Sequence, residues 1–136
     1  MIRNYSLIFC FIFIIFTSSC ASSKKTINIS TSTLNGKTFQ LTNMFEGRGI
    51  TISFYNEEFY GYGGFNTYLG KYEMRRGNMI IFKDMVVTKM GGTSEAVEAE
   101  KQYIELLNKA SSIELTSSNL TITTLDNEIL IFKRIK

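Results

Sequence analysis

What most limits the fold of this chain is a change of period. From Lys37 to Thr88 the apolar residues fall largely at every second position, in short runs parted by turn residues, and that period returns from Ser112 to Arg134. A period of two is the signature of a half-buried strand. One window between them keeps a different spacing. From Ser94 onward the apolar residues fall at Ala96, Ala99, Tyr103, Leu106, Leu107 and Ala110, a helical stripe that Val97 and Ile104 widen. Helix and strand never alternate, so the crossover units that build parallel sheets are absent and the strands must pair antiparallel. The predicted class is α+β, mainly β. It is a strongly curved antiparallel sheet or partly open β-barrel of about eight strands, with one helix packed on it.

Local signals divide the strands. Asn35-Gly36 and Glu46-Gly47-Arg48-Gly49 are turns around a first strand, Lys37 to Met44. Ile50, Ile52 and Phe54 share a strand face, and Asn56-Glu57-Glu58 turns the chain into Phe59 to Tyr62. Further strands are predicted at Leu69 to Met74 and Met79 to Phe82, with Val86-Val87-Thr88 as a separate short element. The closing runs are Ser112 to Ser117, Asn119 to Leu125 and Glu128 to Arg134, with a hairpin turn at Asp126-Asn127. Thr93 or Ser94 caps the helix, Glu95 and Glu98 favour its positive first turns, and Glu105 and Lys109 are spaced as an i,i+4 pair.

The stretch Gly61 to Tyr72 holds four glycines, one asparagine and three tyrosines. Glycines inside a strand pattern mark bends, bulges or close backbone approaches. Tyr60, Tyr62, Tyr68 and Tyr72 would share a face if the strand were continuous. Asn66 after Gly-Gly is placed to tie a bend through its side chain. A phosphate cradle needs a glycine loop opening a helix. Gly70 is followed instead by the strand-like Lys71-Tyr72-Glu73-Met74, so the stretch reads as strand, bend, strand.

The N-terminal residues stand apart. Arg3 precedes an unbroken apolar run from Leu7 to Phe16, which is short for a membrane span of about 20 residues and suits a signal peptide. Thr17-Ser18-Ser19-Cys20 then resembles a bacterial lipobox, with Thr17 where Leu is usual. The resemblance implies cleavage after residue 19, lipid on Cys20 and, with Ala21 next, an outer-membrane destination. The alternative is ordinary secretion with cleavage near Ser19 or Ala21. Residues 1–19 are thus read as a lipoprotein signal peptide, 20–33 as the lipidated cysteine and a Ser/Thr/Lys-rich tether, and 34–136 as the folded domain. Within the tether, Thr26-Ile27-Asn28-Ile29-Ser30 alternates enough to add an edge strand.

Composition narrows the chemistry. The chain has no histidine, and its two cysteines are Cys10 and Cys20, both ahead of the domain. Ser-His-Asp triads, thiol nucleophiles, disulfides and zinc sites are therefore not expected, nor is any metal or cofactor. A net charge of +3 is too small to argue for nucleic acid. Carboxylates remain. Glu57-Glu58 reads as a solvated turn, and Glu95, Glu98 and Glu100 as the wet face of the helix. A glycosidase would need two acids facing each other across a cleft. Arg75-Arg76 reads as a solvated turn. Phe59, Tyr60, Tyr62, Phe65, Tyr68 and Tyr72 are core candidates. Phe59, Tyr60, Tyr62, Phe65 and Tyr68 form the best candidate lining for an apolar pocket.

The order of these motifs resembles the META, or HslJ-type, domain family. The resemblance is carried by Leu34-Asn35-Gly36 with Phe39, by Gly61 and the core Gly64-Phe65-Asn66-Thr67-Tyr68-Leu69-Gly70-Lys71-Tyr72, by Thr88-Lys89-Met90-Gly91-Gly92, and by the closing strands. Gly61, Gly64, Phe65, Asn66, Tyr68, Gly70, Tyr72, Thr88 and Met90 take structural roles on this reading. Phe65 and Gly92 stand where the family carries cysteines. The resemblance implies a small envelope lipoprotein with no catalytic residues. It also implies a loose link to heat response and antibiotic resistance, and a fold similar to lipoproteins that escort a partner. The expected protein is a non-catalytic, outer-membrane-anchored lipoprotein that binds or escorts an envelope protein or lipid. The alternatives are a carboxylate-based periplasmic hydrolase and a small protease-inhibitor-like domain.

Overall fold

The computed structural model describes residues 28–136, and the period-two segments appear in it as one sheet. The predicted signal peptide, the predicted lipidation at Cys20 and most of the predicted tether lie outside the described residues. The elements are α1 (Thr31–Leu34), β1 (Thr38–Leu41), β2 (Thr51–Tyr55), β3 (Glu58–Tyr62), β4 (Thr67–Met74), β5 (Ile80–Val87), α2 (Ser94–Asn108), β6 (Ala110–Leu115), β7 (Asn119–Thr124) and β8 (Ile129–Arg134). The strands pair antiparallel in the order β5-β4-β3-β2-β1-β8-β7-β6. The two edges meet in a bridge between Met79 and Ser112, and Ile113 N–H donates to the Asn78 carbonyl at 2.8 Å. The sheet is thereby nearly closed into a barrel.

Inward positions fill the barrel with rings. Phe39, Phe54, Phe59, Tyr68, Tyr103 and Phe132 are almost fully buried. They meet edge to face, as Phe54 does with Tyr72 at 5.2 Å and 81°, or tilted, as Phe59 does with Phe82 at 4.5 Å. Each such side chain contributes roughly 1.5–3 kcal/mol on burial.

The barrel has two covered ends. Antiparallel pairing puts the β2–β3 and β4–β5 turns, the start of β1 and the finish of β8 at one of them. There α1 inserts Leu34, which is fully buried. Ser30 caps α1 in a reciprocal capping box with Thr33. Gly36, at φ 73°, donates to the Phe54 carbonyl at 2.8 Å. Residues 30–33, read from sequence as the end of the tether, thus supply the cap and first three residues of a helical turn of the domain. At the other end α2 lies across the barrel between β5 and β6. Thr93 is its N-cap, accepting from Ala96 N–H.

Three local expectations change. Val86–Val87 belong to β5 rather than to a separate element. Asp84 takes a positive φ of 53° and the register slips between Leu69 and Lys71, which breaks the alternation without ending the strand. Strand β6 begins at Ala110, because α2 hands the chain to it through Lys109 alone. Lys109 pairs with Asp126 at 2.7 Å rather than with Glu105.

Candidate functional site

The glycine stretch forms the hairpin joining β3 to β4. Gly63 N–H donates to the Asn66 carbonyl at 2.7 Å, and Gly64 turns the chain at φ 100°. Tyr62 pairs with Thr67, so the hairpin reverses the face on which even-numbered residues point. Tyr60 and Tyr62 therefore face out, half-exposed, while Tyr68 and Tyr72 face in and are buried. The four tyrosines do not share a face.

Asn66 is the hub of the α2 end. Its backbone N–H donates to Glu100 Oε2 at 2.5 Å and its Nδ2 to Glu100 Oε1 at 2.7 Å. Its Oδ1 accepts from Met90 N–H at 2.7 Å. One amide side chain thus ties the hairpin to both the helix and the segment before it. Both groups are buried, Asn66 at 5% exposure and Glu100 at 5%. Glu100 is not on the wet face of the helix. It lies in line with Ala96, Tyr103 and Leu107, the buried residues of α2. A carboxylate at that spacing inside an apolar stripe was the available sign.

The other motif residues explain themselves by contact. Tyr68 O–H donates to the Thr51 carbonyl at 2.6 Å, and its oxygen lies 2.7 Å from that of Tyr103. A Cβ on Gly61 would lie 2.7 Å from the Tyr68 hydroxyl and strike the Thr51 carbonyl. One on Gly70 would strike the Phe59 ring at 2.7 Å. Tyr72 O–H donates to the Asn56 carbonyl at 2.7 Å at the α1 end. Thr88 Oγ1 bonds the backbone of Thr67. Met90 is engaged through its backbone while its side chain is exposed. Phe65 lies against Gly92, where an added Cβ would fall 2.6 Å from the ring's Cε1. The two positions at which the resemblance expects cysteine are in contact, and the ring occupies the space.

Burial pushes the Tyr68 hydroxyl well above its ordinary range, with the neighbouring Tyr103 adding to the effect. Burial likewise raises Tyr103, opposed by the hydrogen bond it shares with Tyr68.

Of the predicted pocket lining, Tyr60 and Tyr62 are on the outer surface, where they and Tyr68 line one shallow depression, while Phe59 is interior and Phe65 covers Gly92. That outer surface is the notable feature. Cross-strand pairing aligns Ser53, Tyr60, Leu69 and Val86 in one row and Thr51, Tyr62 and Thr67 in the next. Tyr60 is 50% exposed, Leu69 59% and Val86 62%. A shallow depression of about 420 Å³ beside Gly61 is lined by Thr51, Ser53, Tyr60, Tyr62, Thr67, Tyr68 and Leu69. Among the described residues no group of acids, cysteines or histidines is placed to hold a metal ion. No described helix is long and apolar enough to cross a membrane.

A model of the META domain matches residues 28–136. The chain belongs to the META domain family. Two solved structures share the fold. One, an NMR structure of a protein from Burkholderia xenovorans, is 18% identical and superposes with a TM-score of 0.62 over 76% of this chain and 85% of its own. The second, also an NMR structure, is 22% identical with a TM-score of 0.60, over 77% of this chain and 94% of its own. At these identities the likeness concerns the META fold alone. No curated protein matches the chain.

Proposed function

We propose that this META domain is a lipid-anchored binding module of the bacterial envelope that recruits a partner protein and catalyses no reaction. The observation that carries the binding half is the exposed row Tyr60, Leu69 and Val86 with Tyr62 beside it. Tyrosine-rich, partly apolar surfaces with few charges are what protein interfaces use at their centres. A filled interior argues for a surface partner over an enclosed lipid. The anchoring half rests on Cys20 behind its apolar run. The absence of chemistry is supported by the lack of histidine and by Glu100, whose two oxygens are both engaged by Asn66.

The test is in-cell photocrosslinking from position 60 or 69, with position 101 on α2 as control and Cys20→Ala as the untethered form. A discrete adduct from 60 and 69 that is absent from 101 is expected. Equal, diffuse labelling from all three positions would remove the binding reading. Loss of membrane fractionation in Cys20→Ala is expected, and its persistence there would remove the anchoring one.

A further inference from the structure

We propose that the α1 end of the barrel is a contact face for an anionic lipid bilayer. This deepens the anchoring reading and rests on it. Arg3, Lys24 and Lys25 account for the whole net charge of +3, so residues 28–136 are electroneutral. Their charges are nevertheless sorted by the topology. The α1 end carries Lys37, Arg75, Arg76, Lys83, Arg134 and Lys136 on its turns and strand ends. The α2 end carries Glu46, Glu95, Glu98, Glu105, Asp126 and Glu128 on the helix and its flanking loops.

Ion pairing leaves this separation in place. At the basic end Glu73 is taken by Lys83 at 3.1 Å and Arg75 at 3.2 Å, and these cations hold its carboxyl below the usual range. The remaining acids there are Glu57 on the β2–β3 turn, Glu58 at the start of β3, Asp84 beside Lys83 on β5 and Glu114 on β6. At the acidic end Arg48 is taken by Glu95 at 2.6 Å and Lys109 by Asp126, leaving Lys89 and Lys101.

Two further observations name the occupant. Tyr55, Met79 and Ile135 expose apolar tips at the basic end, at 57%, 51% and 55%. Cations interleaved with tyrosine and aliphatic tips suit a headgroup layer. The chain outside the described residues also joins the domain at this end, where Thr31 lines a groove with Glu57, Lys71, Glu73 and Lys83. Residues 21–27 span at most about 25 Å and include Lys24 and Lys25. A bilayer holding Cys20 is therefore within reach of the basic end. Contact there turns α2 away from the membrane and leaves the Tyr60–Val86 row at the side.

The test uses the full lipidated chain on phosphatidylcholine vesicles and on vesicles enriched in phosphatidylglycerol, read by flotation and backbone hydrogen exchange. Slowed exchange at the Arg75–Asn78 turn and at Ile135–Lys136 is expected on the anionic vesicles only, and salt should reverse it. Arg76→Glu with Lys136→Glu, both at exposed positions, should lower the protected fraction by roughly fivefold per cation removed. Glu95→Gln at the far end should leave it unchanged. Equal exchange on both lipids in a chain that floats with both would overturn the proposal. So would protection at α2, or protection that follows protein concentration on either lipid, which marks a second copy as the occupant. A chain that floats with neither lipid overturns the anchoring reading and this proposal together.

Discussion

The barrel is closed at both ends, by different means. At the α1 end the closure is one apolar plug, Leu34, held by a short capped turn and by backbone bonds such as Gly36 to Phe54. At the α2 end it is a polar clamp under a long helix, with Glu100 accepting twice from Asn66 and Tyr68 meeting Tyr103. Apolar plugs lose stability in proportion to the volume removed. Polar clamps lose it when one partner is left buried and unpaired. The two ends should therefore respond to different perturbations.

Alkali should act most on the α2 end, which holds two fully buried tyrosines against the single, partly buried Tyr72 hydroxyl that burial also raises at the α1 end. Tyr68 and Tyr103 have folded pKa values raised above the ordinary 10.0. The native state thus keeps protons that the unfolded chain releases. Their stabilising effect is full below about pH 10 and is lost as pH rises from there towards the folded values, at up to about 1.4 kcal/mol per pH unit for each group. Urea melts from pH 9 to 12 should show this decline, and Tyr103→Phe should flatten it. A decline that is unchanged in Tyr103→Phe assigns it elsewhere. Leu34→Ala comes next. It should cost about 2–5 kcal/mol in urea unfolding, with early hydrogen exchange at the β2–β3 turn rather than at α2. Glu100→Ala should cost roughly 1–3 kcal/mol for each Asn66 donor left unpaired and loosen α2 first. Glu100→Gln retains an acceptor and should recover part of that loss. Gly92→Ala should cost about 1–3 kcal/mol by overpacking against Phe65, and little in a Phe65→Ala background. Additive losses in that double-mutant cycle would show that the ring and residue 92 do not compete for space. Smallest is Ser30→Ala, at about 1 kcal/mol for a lost cap.

The same contrast explains what could be read from sequence. The helix α2 was legible because its stripe runs over four turns and its cap is a threonine; the Asp126-Asn127 hairpin was legible because Asn127 takes the positive φ its turn needs. The α1 turn was not, because Thr31–Leu34 is too short to show a period and consists mainly of serine and threonine, which also suit a tether. Glu100 looked solvated because a lone carboxylate in a stripe is normally at its wet margin; its partner lies far along the chain, and only the fold supplies it. The face change between Tyr62 and Tyr68 depends on the pairing of Tyr62 with Thr67, which residue types alone do not fix. The outer row of Tyr60, Leu69 and Val86 assembles only once three strands are in register. Phe65 was identified as the telling departure, and its contact with Gly92 gives that departure a physical cause.

The entry of the chain through α1 has a mechanical side. Any pull transmitted through residues 28–30 reaches Ser30 and Leu34 before it reaches the sheet. The turn has four residues and few bonds, so it yields first and lengthens the leash. The load then meets β1, which is paired on both sides by β2 and β8 and must be stripped from two ladders at once. A domain built this way gives slack under small tugs and keeps its barrel intact.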